Sequence, residues 1–204
     1  MVKFGRHLQF FLENEEQGKE CSSSPHYIVP YTELRDNIYN YASSSHDSQP
    51  FEIAWRKALQ FASEDFRESI TSCWSTIFEA IRNIPNARGA TLEAALRLFT
   101  PTVGITESRD LLVFLKKIHR TASLNSEALR KLVKKFDKRG QTSKSFSTFL
   151  LPELYTSNFS IGMQSLDVAI NILRELLDDL DEPFRFYCRI QGRKEKNGKE
   201  EDVI

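Results

Sequence analysis

The residues best suited to chemistry are lysines. Residues 126–139 read S-E-A-L-R-K-L-V-K-K-F-D-K-R, and at 100° per residue Lys131, Lys134, Lys135 and Lys138 fall within an arc of about 100° on a helix. Leu129, Leu132, Val133 and Phe136 fill the opposite side, so one face packs and the other is cationic. Ammonium groups one turn apart repel at roughly 0.2–0.5 kcal/mol per i,i+4 pair. Arg130 and Arg139 add to the load, and Asp137 is the only acid close by. Three explanations stay open. The face is simply solvated, its lysines biased toward the helix C-terminus where the dipole favours them. Alternatively it is a preformed site for a multiply charged phosphate ligand, whose charge-assisted hydrogen bonds at about 1.5–3 kcal/mol each offset the repulsion. Nucleic acid ranks last, because no exposed aromatics interleave with the lysines and no second basic stripe exists.

Other chemistry finds little support. His7, His26, His46 and His119 have no metal-ligand spacing with the cysteines or with one another. Neither a phosphate loop nor a nucleophile elbow occurs. The acids Asp178, Asp179, Asp181 and Glu182 gather at a helix end. We expect no enzyme, no catalytic residue, no metal and no other cofactor. Cys21, Cys73 and Cys188 are odd in number and far apart, which points to a reducing compartment.

The elements that must carry the lysines are helices. Phe4, Leu8, Phe11 and Leu12 give an opening amphipathic helix; Cys21–Pro25 is turn-rich; Tyr31, Leu34, Ile38 and Tyr41 mark a second helix, making a hairpin. From Trp55 to Ile84 apolar residues keep 3-4 spacing and predict one long helix of about 50 Å. Asn86–Gly89 turns the chain. A second long stretch through Leu92, Leu96, Phe99, Leu111, Phe114, Leu115 and Ile118 should break or kink at Pro101–Gly104. Ser126 is the expected N-cap of the lysine helix, with Gly140 as its C′ residue and Gln141–Ser147 a polar linker. Leu166 to Leu180 forms a last helix closed by acids and Pro183. Phe184–Ile190 alternates weakly, like a short strand. The expectation is an all-α bundle over residues 1–181, followed by a charged, disordered tail over 182–204.

Charge must be read by placement. The chain has 204 residues, with Lys+Arg 28 against Asp+Glu 28, which argues against a general nucleic-acid binder. Six basic residues nevertheless lie between Arg130 and Arg139 against one acid. The opening residues lack the uninterrupted apolar core of a signal peptide, and no stretch of about 18 apolar residues occurs. A cytoplasmic or nuclear location follows, or a place on the cytosolic side of a membrane through a partner.

Three short motifs carry a resemblance. Met1-Val2-Lys3-Phe4-Gly5-Arg6-His7-Leu8 resembles the M-K-F-G-x-x-L opening of SPX domains, with one extra residue. Tyr27-Ile28-Val29-Pro30-Tyr31-Thr32-Glu33-Leu34-Arg35 is similar to that family's Y-x-x-Y-x-x-L-K helix, with Arg35 in place of lysine. Leu124-Asn125 followed by Lys131-Leu132-Val133-Lys134-Lys135-Phe136-Asp137-Lys138 resembles its L-N-x-x-x-F-x-K-I-x-K-K-x-D-K helix. The motifs stand in the family's order, and the resemblance covers about residues 1–180.

The resemblance implies an SPX-type helical bundle: an N-terminal hairpin, two long helices and shorter C-terminal helices. It also implies a sensor of inositol polyphosphates, above all pyrophosphates, that regulates phosphate homeostasis. Lys3, Tyr31, Arg35, Lys131, Lys134, Lys135 and Lys138 are the ligand-binding positions it marks. The implied partner is a transporter, a polyphosphate polymerase, a transcription factor or a ubiquitin ligase. The competing expectation is a scaffold or assembly subunit whose lysines meet an acidic protein or anionic lipid. A third makes the chain the regulatory end of a transporter or phosphodiesterase.

Overall fold

Apolar spacing sustained over thirty residues becomes long helices. The computed structural model describes residues 27–44, 49–85, 87–139 and 145–197, with side chains through residue 38 in the first stretch and residue 180 in the last. Among the described residues the elements are α1 (Tyr31–Ser44), α2 (Gln49–Ile81), α3 (Leu92–Val103), α4 (Ile105–Arg139), α5 (Leu150–Thr156) and α6 (Asn158–Asn197), with a 3₁₀ turn at Phe146–Thr148. The all-α expectation holds. Lys3, the opening helix over Phe4–Leu12, Gly140 and residues 198–204 lie outside the described residues.

The chain divides into two compact units. The first, drawn from residues 27–72 and 117–165, is organised by α2 and α4 running antiparallel. Phe51 stacks on Phe136 with ring centroids 4.2 Å apart, and Phe146 meets Phe136 edge-on at 4.7 Å. Further along, the Trp55 indole N–H donates to the Leu129 carbonyl at 3.0 Å, which lets a fully buried tryptophan keep its polar atom satisfied. Arg56 joins α2 to α5 through Glu153 at 2.6 Å and also pairs with Glu52. Gly162 on α6 sits against Phe66: a Cβ there would lie 2.5 Å from the Phe66 ring, so only glycine allows the approach.

The second unit, drawn from residues 73–116 and 166–180 and the helix beyond, has a core that is mostly aliphatic. Ile77 and Ile81 of α2, Leu96 and Phe99 of α3, Leu111 and Leu115 of α4, and Leu166, Leu173 and Leu177 of α6 are buried. Burial pushes the Cys73 thiol up to about 12, so it stays protonated and unreactive.

The boundaries differ in detail from the sequence expectation. The break expected over Pro101–Gly104 is present, but it falls at Gly104, whose φ of 99° is open to glycine, and not at the proline: α3 continues through Pro101 to Val103. Pro101 lies in the last turn, where its missing N–H deprives only the Arg97 carbonyl. The lysine helix does not begin at Ser126, because α4 is continuous from Ile105 to Arg139. Asn125 resembles a cap residue, but its amide bonds a distant segment and leaves the local ladder intact. Finally, α6 starts at Asn158, with the Ser157 hydroxyl accepting from the Ser160 N–H at 3.3 Å, and runs through Pro183 to Asn197. The strand expected over Phe184–Ile190 is helix, as is the part of the expected tail over 182–197. A lone strand would leave its backbone groups without a ladder, whereas a helix pairs them within the segment.

Candidate anion-binding face

The C-terminal half of α4 is amphipathic as its spacing predicts. Leu129, Leu132, Val133 and Phe136 are buried, Lys134 and Lys138 are exposed, and Lys131 and Lys135 are half-buried. Trp55 and Phe51 brace the buried side at Leu129 and Phe136. The lysines therefore project from a backbone that is held in place.

The acids nearby are committed in different ways. Glu127 receives the Arg130 guanidinium on both carboxylate oxygens at 2.7 Å and the Lys131 ammonium at 3.2 Å. The Arg130 hydrogen bonds, opposed by some burial and aided by Lys131, hold the Glu127 carboxyl below the usual range. Counting only Asp137 missed this pairing; the i,i+3 and i,i+4 spacing of Glu127 to Arg130 and Lys131 is the signal that would have found it.

Asp137 does the opposite of what its place among lysines suggests. Its carboxylate accepts from the Ser145 hydroxyl at 2.7 Å, the Phe146 N–H at 2.6 Å, the Ser147 N–H at 3.0 Å and the Ser147 hydroxyl. Partial burial pushes this carboxyl up, but the hydroxyl and N–H donors outweigh it and the net shift is downward. Asp137 thus holds the turn after α4. Among the described residues neither Lys134 nor Lys138 has an ion-pair partner.

The other marked positions lie on α1. Tyr31 opens that helix and is buried, 8% exposed. Arg35, one turn on, is half-buried and pairs with Asp36 at 2.7 Å. Asp36 takes the Nε and Nη2 groups on one carboxylate oxygen, so a phosphate reaching this guanidinium competes with Asp36 for its charge. The start of α1 is tied to α4 at Asn125, which accepts from the Val29 N–H at 2.9 Å and donates to the Tyr27 carbonyl at 2.8 Å. Along α4, at 1.5 Å per residue, Lys131 stands about 9 Å and Lys138 about 20 Å beyond that tie.

Among the described residues no group of three or more His, Cys, Asp or Glu side chains could hold a metal ion, and no helix is long and apolar enough to cross a membrane. Comparison with protein-family models, with curated proteins and with solved structures finds no match to this chain.

Proposed function

We propose that this chain is a binding module for inositol polyphosphates or pyrophosphates, which it takes on the lysine face of α4 in order to regulate a partner in phosphate homeostasis. The observation that carries the reading is the pair Lys134 and Lys138. They are exposed, one turn apart, on a helix braced from behind, and the neighbouring acids are engaged elsewhere. A dense polyanion relieves their mutual repulsion, while a long nucleic-acid strand finds no extended basic track. The resemblance of three motifs to SPX domains adds the ligand class and the regulatory role, and no catalysis is part of the proposal.

Isothermal titration with inositol hexakisphosphate and with a pyrophosphate analogue tests it. Removing two charge-assisted contacts by Lys134→Ala with Lys138→Ala weakens binding by about 100-fold, at roughly 1.5 kcal/mol per contact. Undiminished affinity in that variant would sink the site.

A second reading is favoured by one feature. Glu127 already pairs with Arg130 and Lys131, which thins the positive charge and suits an acidic protein surface. Partner capture that is indifferent to added inositol hexakisphosphate would support this reading over the first.

A further inference from the structure

A single side chain joins the lysine helix to a segment almost a hundred residues away. Asn125 is 2% exposed, and its amide meets the backbone of Tyr27 and Val29 as acceptor and donor at once. An amide used this way copies one rung of a β-ladder, giving an extended segment the two partners that a neighbouring strand would give it. Residues 27–30 have no regular secondary structure, and Val29 is 1% exposed. Its buried N–H must be satisfied, and Asn125 satisfies it. The Tyr27 ring packs on Phe61 of α2 at 5.6 Å, so the segment is held from a second direction.

The rung stands directly before α1. Pro30 sets φ and donates no hydrogen bond, and its carbonyl accepts the Leu34 N–H at 3.0 Å as the helix opens. Wherever residues 27–29 are held, Tyr31 and Arg35 follow within the next two turns. We propose that Asn125 is a positioning residue for the anion-binding face: it fixes α1, and with it Tyr31 and Arg35, against Lys131, Lys134 and Lys138. The inference rests on the polyanion reading above and assigns to it a residue that touches no ligand.

Positioning makes a prediction that packing alone does not. If the rung and the ligand support one geometry, each strengthens the other by the same factor, as linkage requires. In the wild-type chain, saturating inositol hexakisphosphate slows hydrogen exchange of the Val29 amide by about tenfold, and Asn125→Ala weakens inositol hexakisphosphate binding by about tenfold. The exchange measurement needs no variant and stays decisive if Asn125→Ala fails to fold. Helix content by circular dichroism shows whether the variant is folded. A wild-type chain that binds no inositol hexakisphosphate overturns the polyanion reading and this inference with it. Binding that Lys134→Ala with Lys138→Ala abolishes, but that leaves Val29 exchange unchanged, overturns the positioning role alone; a folded Asn125→Ala of undiminished affinity does the same.

Discussion

In the first unit the helices are registered by groups that have a direction. Trp55 finds one carbonyl, Asn125 grips one stretch of backbone, Arg56 reaches Glu153, and the rings of Phe136 and Phe146 cross at 64°. The second unit fills space with Ile77, Ile81, Leu96, Leu115 and Leu173, and the hydroxyls of Thr100, Thr102 and Ser108 bond carbonyls four residues back in their own stretch of chain. The two modes respond differently to displacement. A buried donor or acceptor moved off its partner loses more than the bond contributed net, whereas aliphatic side chains re-pack at small cost. The lysines from 131 to 138 stand on the directional unit, where supporting side chains hold the geometry of a site.

Conservative swaps in the two cores should separate these modes most widely. Trp55→Phe keeps an apolar ring but removes the bond to Leu129 and leaves unfilled volume, and should cost about 2–3 kcal/mol. Leu173→Met in the second unit conserves volume and should cost less than about 1.5 kcal/mol. Denaturant unfolding of both variants measures the contrast. Equal losses would mean that the second unit is specified as tightly as the first.

Asp137 supplies a sharper probe of the directional unit, because its bonds depend on charge. Asp137→Ala strips the turn at Ser145–Ser147 of its acceptor and should cost about 1–2 kcal/mol at neutral pH. The folded chain holds this carboxyl below its ordinary value. The stabilisation is therefore present above the unfolded carboxyl's range, near pH 4, and disappears as pH falls through the lower folded value. Unfolding free energies of wild type and variant should converge in acid. A gap that stays constant from neutral pH to below about pH 3 would show that Asp137 acts without its charge.

These groups also mark where sequence reading reached and where it stopped. Period 3.6 is a local signal, and it correctly assigned Leu129, Leu132, Val133 and Phe136 to the buried side of α4 and Lys134 and Lys138 to solvent. It also foresaw α2 as one long helix. Ser126 reads as a helix start and its neighbour Asn125 is instead a long-range clamp, because cap chemistry and clamp chemistry use the same kinds of side chain. Their difference lies in partners 96 and 98 residues away, which no window contains. The passage of α6 through Pro183 was hidden for the related reason that a proline disfavours a helix locally without forbidding it. Glu127 was missed although its spacing was local, since the count of acids was restricted to those between the lysines.

Thr121 is the smallest test and bears on how completely the directional unit is satisfied. The residue is 3% exposed, one turn before Asn125, and its hydroxyl has no hydrogen-bond partner among the described residues. With Asp65, Asn125 and Phe159 it lines a cavity of about 10 Å³, close to the least space that holds one water. A buried hydroxyl without a partner contributes nothing, and replacing it by a methyl of the same shape removes a desolvation cost. Thr121→Val should therefore leave stability within about 0.5 kcal/mol of wild type or raise it slightly. A loss above about 1 kcal/mol would mean that the hydroxyl is hydrogen-bonded in solution, with a water in that cavity as its partner. The polar tie at Asn125 would then extend one turn further along α4, and the contrast between the two units would be larger than the protein's own hydrogen bonds make it.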